Sequence, residues 1–113
     1  MENFPARAPR LIASDIDGTL LDRNHRVPSR NRDAVARAVQ QGVYFALSTG
    51  RPFRWIAPVL EQLPVRPVCV TSNGAVLYDS AEDRVMSAHE LSPAALAEVV
   101  DVAQTVLGTV GFG

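Results

Sequence analysis

The chain has 113 residues, 47% of them apolar and 20% charged, with a formal net charge of −1. That length and apolar share suit one small globular domain with a modest core and exclude a disordered chain. The eleven basic residues are all arginine and are spread over the whole length, which argues against a nucleic-acid or anionic-membrane partner, since either needs a basic patch.

The stretch Met1 to Arg10 holds two prolines and two arginines but no apolar leader, and no later run is long enough to span a bilayer. A cytoplasmic location is the expectation. Cys69 is the only cysteine, so neither an intrachain disulfide nor a multi-cysteine zinc site can form, and its neighbours Val68 and Val70 predict a buried thiol.

In chain order, Leu11-Ile12-Ala13 is a short apolar run that meets polar residues at Ser14 and Asp15 and turn chemistry at Asp17-Gly18, which predicts a buried strand ending in a loop. Ala34, Val35, Ala38 and Val39 recur at helical spacing between Pro28 and Gln41, with Gly42 as the stop. Val43 to Leu47 predicts a second, fully buried strand before Ser48-Thr49-Gly50. Phe53 to Leu63 reads as a helix with an apolar face, although Pro58 falls inside it and should kink it or move its start.

Pro67 to Thr71 predicts a third strand, turning at Ser72-Asn73-Gly74. Ala75 to Tyr78 and Arg84 to His89 flank an acidic turn and predict a hairpin. Ser92-Pro93 opens a last helix carrying Leu96, Val99, Val100 and Ala103, and Thr105 to Gly113 reads as the start of another strand. Three buried strands alternating with helices imply a parallel sheet of right-handed βαβ units. Ligands then sit beyond the carboxyl ends of the strands, where the chain places Asp15-Ile16-Asp17-Gly18-Thr19, Ser48-Thr49-Gly50-Arg51 and Ser72-Asn73-Gly74.

Asp15 and Asp17, one residue apart at a strand end, project to the same side while the chain stays extended. Two carboxylates so close need a cation or a shared proton, and a hard divalent ion such as Mg2+ with oxygen ligands meets that need. A carboxylate can also attack phosphorus while a second acid protonates the leaving oxygen and later activates water. Gly18 and Thr19 let backbone N–H groups approach a phosphate, and Thr49 with Gly50 offers a hydroxyl and an amide from the neighbouring strand end.

The run Asp15-Ile16-Asp17-Gly18-Thr19-Leu20-Leu21 after an apolar strand resembles the first motif of the haloacid dehalogenase-like phosphatases. Ser48-Thr49-Gly50-Arg51-Pro52 is similar to the Thr-Gly-Arg-Pro form of the Cof-type subfamily, and Ser72-Asn73-Gly74-Ala75 to its Asn-Gly-Ala turn. The resemblance implies a partial Rossmann-like α/β core, a parallel sheet with helices on both faces, followed by the start of an α/β cap. Residues 1–78 would be the N-terminal half of the core and 79–113 the hairpin and the beginning of the cap. It further implies Asp15 as nucleophile and metal ligand, Asp17 as general acid and base that also contributes its backbone carbonyl to the metal, Thr49 as a phosphoryl-binding residue, Arg51 and Asn73 on the substrate side, and Mg2+ as cofactor.

The pattern breaks in two places. No lysine exists to serve as the family's third motif, and no glycine-aspartate pair follows Asn73 to serve as the acidic fourth. The chain therefore reads as a fragment, and the first strand, central in the family's sheet, is expected to have one side without a ladder partner and so to pair that edge with a second copy, swap elements or behave poorly as a monomer. His25 and His89 lack partners at metal-ligand spacing and are expected on the surface, while Trp55 is expected in packing or bordering the pocket. Arg51 could pair with a sheet-end carboxylate or bind a phosphate-bearing substrate, the use to which a bidentate guanidinium is better suited.

The expected partner is a small phosphorylated metabolite. Three alternatives stay open: a phosphomutase or sugar-phosphate phosphatase with the same Asp-x-Asp core, a self-associating half-domain that binds magnesium or phosphate without turnover, and a receiver-type phosphoacceptor.

Overall fold

The structure is a computed structural model that describes residues 7–112. The leader-free reading of Met1 to Arg10 lies partly outside the described residues. Eight elements follow in order: β1 (Leu11–Ser14), α1 (Ser29–Gln40), β2 (Tyr44–Ser48), α2 (Ala57–Leu60), β3 (Val68–Thr71), β4 (Val76–Asp79), β5 (Arg84–Ala88) and α3 (Pro93–Leu107). No helix is long and apolar enough to cross a membrane among the described residues.

The strands form one five-stranded sheet in sequence order. β1, β2 and β3 run parallel, in register through Ala13, Ala46 and Val68. The expected parallel strands are β1 to β3, and the expected hairpin β4–β5 continues the same sheet antiparallel, with Val70 opposite Leu77 and Leu77 opposite Ser87. A four-residue hairpin connection can only reverse the chain, whereas a parallel return needs a long crossover. Asp79 fixes that connection by accepting the N–H groups of Ala81 and Glu82 at 3.0 and 3.2 Å.

One apolar cluster holds the fold together, drawing Ile16, Leu20 and Leu21 from the turn after β1, Val35 from α1, Phe45 and Leu47 from β2, Ile56, Val59 and Leu60 from around α2, Cys69 from β3 and Tyr78 from β4. The buried Cys69 agrees with the sequence reading. The buried state expected of the first two strands does not hold throughout. β1 is the sheet edge, so Leu11 is 54% exposed, and β2 alternates, with Phe45 and Leu47 inside and Tyr44 74% exposed on the other face. β1 pairs with β2 alone among the described strands.

α1 ends where Gly42 was expected to end it. Gly42, at φ +85, donates to the Val39 carbonyl at 3.0 Å and Val43 donates to that of Ala38 at 3.0 Å, the paired bonds of a Schellman cap. The helix read over 53–63, which Pro58 was expected to kink or to shift, is split into a turn at Phe53–Trp55 and the short α2. Pro58 has no N–H to give and its ring clashes with a preceding helical carbonyl, so it can occupy only the first turn, and the helix restarts just before it.

The strand expected from Thr105 is corrected as well: α3 continues to Leu107 and Gly108 caps it at φ +78, donating to Gln104 at 3.0 Å. The Thr105 hydroxyl donates to the Asp101 carbonyl at 2.8 Å, which satisfies it inside the helix.

Candidate active site

Three loops at the carboxyl ends of β1, β2 and β3 meet at one end of the sheet. The first is a tight turn over Ile16–Leu20, closed by a bond from the Leu21 N–H to the Ile16 carbonyl at 3.1 Å. Ile16 and Leu20 anchor it in the core, and Gly18 provides the left-handed residue at φ +74. The turn fixes Asp15, whose Oδ1 accepts the Ile16 N–H at 2.8 Å and whose Oδ2 faces the Thr19 hydroxyl at 3.5 Å.

The second loop begins at Thr49, buried behind β2, whose N–H donates to the Val70 carbonyl at 2.9 Å. Its hydroxyl oxygen accepts the Arg51 N–H at 3.0 Å, which leaves the hydroxyl proton free to donate outward. The third loop is tied to the second by the Asn73 N–H on the Thr49 carbonyl at 3.1 Å and the Ser72 N–H on the Arg51 carbonyl at 3.0 Å. Ser72, Asn73 and Gly74 all hold positive φ, at 49°, 54° and 98°, so this loop turns back on itself within three residues.

Between the loops lies an open depression of about 590 Å³ lined by Asp15, Ser48, Thr49, Gly50, Asn73 and Gly74 over a floor of Ala13 and Val70. The structure thus brings together Asp15, Thr49, Gly50 and Asn73 as expected. Asp17, Gly18, Thr19 and Arg51 are not among the lining residues. Arg51 instead grips Asp17: Nε donates to Oδ2 at 2.8 Å and Nη2 to Oδ1 at 2.5 Å, while Nη1 reaches the Trp55 carbonyl at 3.4 Å. Those hydrogen bonds, with the guanidinium charge, hold the Asp17 carboxyl below its usual range and raise Arg51 above its own.

Trp55 is not in the packing. The residue is 60% exposed, with the Arg54 guanidinium 5.9 Å from the ring centroid, and its contribution to the site is a main-chain carbonyl. No side-chain pattern signals such a role, whereas Ser48 and Gly74 lie in the strand-end loops that the sequence already places at the ligand end of the sheet. His25 and His89 are exposed, as expected.

Asp15 Oδ2 and the Asp17 main-chain carbonyl are hard oxygen donors, the chemistry a magnesium ion takes when it keeps several waters and shares a substrate phosphate. The donor set fits that ion but is small: among the described residues no group of three His, Cys, Asp or Glu side chains could hold a metal, and the Asp17 carboxylate is spent on Arg51.

Comparison with known proteins agrees with this fold. The chain is 37% identical over 70 residues to Phosphatase YwpJ of Bacillus subtilis, covering 62% of this chain and 25% of that protein. It is 30% identical over 98 residues to the 5-amino-6-(5-phospho-D-ribitylamino)uracil phosphatase YitU of the same organism, covering 86% of this chain and 36% of that one. A haloacid dehalogenase-like hydrolase structure from B. subtilis superposes with a TM-score of 0.76 at 29% identity, over 86% of this chain and 34% of the other. The phosphatase BT1666 from Bacteroides thetaiotaomicron shares the fold, with a TM-score of 0.78 at 19% identity over 94% of this chain and 39% of its own. The chain therefore spans between a quarter and two-fifths of the length of these relatives. Because the model of the haloacid dehalogenase-like hydrolases matches residues 12–109, nearly the whole chain, the protein belongs to that family.

Proposed function

We propose that this chain carries the nucleophile half of a magnesium-dependent phosphate monoester hydrolase of the Cof type, acting in the cytoplasm on a small phosphorylated metabolite. One observation carries the reading. Asp15 is pinned by the Ile16 N–H at 2.8 Å and opens on the same depression as the Thr49 hydroxyl and the Gly50 backbone.

In this reading an Asp15 carboxylate oxygen attacks phosphorus in line, forming the aspartyl-phosphate as the ester P–O bond breaks. The departing oxygen takes up a proton, and the water that cleaves the acyl phosphate gives one up, releasing inorganic phosphate and restoring Asp15; Asp17 acts as that acid and base only when its carboxyl is freed from Arg51 and protonated, because the pair holds it ionised. The Thr49 hydroxyl and the Gly50 N–H hold phosphoryl oxygens during both transfers. Asp15 and the Asp17 carbonyl would hold the ion, whose charge offsets that of the phosphoryl group. Relatives named as phosphatases support the reaction class. The compound in YitU's name, 5-amino-6-(5-phospho-D-ribitylamino)uracil, is a first substrate to try.

The test is hydrolysis of p-nitrophenyl phosphate by the 113-residue chain with and without Mg2+, beside Asp15→Asn. Magnesium-dependent turnover lost in the variant supports the reading. Turnover no higher than that of the variant, from folded protein, supports the second one: a half-domain that binds the ion or phosphate and pairs through the uncovered β1 edge. The edge favours this second reading because it has no ladder partner among the described residues. Product analysis on a hexose bisphosphate separates a hydrolase from a mutase.

A further inference from the structure

Arg51 touches all three loops of the site. Its N–H donates to Thr49 Oγ1 at 3.0 Å and its carbonyl accepts the Ser72 N–H at 3.0 Å. Its side chain reaches the first loop, with Nε and Nη2 on the two carboxylate oxygens of Asp17. A fifth bond, from Nη1 to the Trp55 carbonyl at 3.4 Å, steadies the guanidinium from behind. Both side-on donors of the fork are therefore consumed by one carboxylate, and the residue stands outside the wall of the depression.

Resting on the proposed reaction, we infer that Arg51 is a positioning residue which sets the orientation of the Asp17 carboxylate and locks the three strand-end loops together, and that it is not a ligand of the substrate phosphoryl group. The fork geometry is what the role requires. A guanidinium binds both oxygens in one plane and fixes the carboxylate's rotation, whereas an ammonium supplies charge at a point and leaves the carboxylate free to turn. The bond from the Leu21 N–H to the Ile16 carbonyl closes the turn that contains Asp17, so the stability of that turn reports on the clamp.

The experiment uses isotopically labelled 113-residue chain, as wild type, Arg51→Gln, Arg51→Lys, Asp17→Asn and the double variant Arg51→Gln with Asp17→Asn, read by NMR and by titration with inorganic phosphate in the presence of Mg2+. In Arg51→Gln the Asp17 carboxyl carbon resonance moves, and the Leu21 amide exchanges about tenfold faster or more, while the core amides of Leu47 and Cys69 keep their wild-type rates. Lysine does not restore Leu21 protection, because it lacks the fork. Asp17→Asn loosens the turn from the other side, and the double variant adds nothing further; this arm decides the matter if the glutamine variant fails to fold. In the two Arg51 single variants phosphate affinity stays within about twofold of wild type.

An unmoved Asp17 resonance with unchanged Leu21 exchange would overturn the inference. So would full recovery by lysine, or an affinity loss of about tenfold that marks Arg51 as a phosphate ligand. Wild-type protein that binds no phosphate strikes at the proposed function instead, and the two NMR readings still decide the role of Arg51.

Discussion

The side-chain amide of Asn73 lies against the α-carbon of Gly50: a β-carbon there would stand 3.0 Å from Asn73 Oδ1 and 3.5 Å from Nδ2. The contact joins the loops after β2 and β3 at the lip of the depression. Gly50 is needed for this approach rather than for a left-handed torsion, and Asn73 has little room to yield, because its backbone sits at φ +54 and its N–H is held by the Thr49 carbonyl.

Gly50→Ala is therefore expected to destabilise the protein by about 1–2 kcal/mol, the range for forcing an added carbon into a filled contact. In an Asn73→Ala background, which has its own cost at φ +54, the same substitution should cost little, since the obstructing amide is gone and neighbouring substitutions are coupled. Urea unfolding of the two single variants and the double variant checks this. Additive losses would mean that the backbone, and not the Asn73 side chain, sets the limit.

Asp17 ties stability to acid. Its carboxyl is held below the ordinary range first by the hydrogen bonds from Arg51, so the folded state favours the ionised form. The associated stability is fully present above the ordinary carboxylate pKa and is lost as pH falls through the lowered one. The pair is open to solvent, with Arg51 25% and Asp17 51% exposed, so screening keeps its worth below about 1 kcal/mol. Asp17→Asn should flatten part of the decline in stability between neutral and acid pH, and added salt should shrink the difference between variant and wild type. Identical acid limbs in denaturation curves would mean that the pair contributes nothing to folding.

Cys69 should report on opening of the core. The side chain is fully buried, and burial pushes its thiol up to about 11, so neither access nor thiolate is available in the native state. Alkylation by iodoacetamide is expected to be slow at neutral pH and to accelerate across the urea unfolding transition. Fast labelling without denaturant would show that β3 is uncovered in solution, because Cys69 pairs with Leu47 and Tyr78 at the middle of the sheet.

How far the sequence could be read depends on whether a feature is local. Gly42, the strand-end loops and the Asp15 turn follow from short-range rules, since a residue at φ +85 or a carboxylate capping the next N–H is specified by its immediate neighbours. The apolar run Leu11-Ile12-Ala13 looked the same whether central or at an edge, because burial is set by what lies on each side of the strand and not by the strand itself. Arg51 had two uses of comparable chemistry, and only the fold brings Asp17, thirty-four positions earlier, within 2.8 Å of its Nε. The helical state of Thr105 was hidden for the opposite reason: a β-prone residue was absorbed by a helix whose carbonyl four residues back could take its hydroxyl.

Charge at the depression yields the last prediction. The chain has no lysine, and Arg51 is engaged by Asp17. The depression is lined by one carboxylate, Asp15, and by no cationic side chain. A phosphate ion placed about 4 Å from Asp15 would meet repulsion of order 4 kcal/mol per unit charge at the effective dielectric of a protein surface. Hydrogen bonds from Thr49 and the Gly50 N–H, each worth about 1 kcal/mol net, offset only part of it. A divalent ion beside Asp15 reverses the sign of the local field. Phosphate is therefore expected to bind about 100-fold more tightly with Mg2+ than without. Asp15→Asn, which keeps the shape and removes the charge, should bind phosphate without Mg2+ better than wild type does, while losing most of the response to the ion. Titration calorimetry on both proteins checks each half. A wild-type affinity that ignores magnesium would place the phosphate somewhere other than beside Asp15.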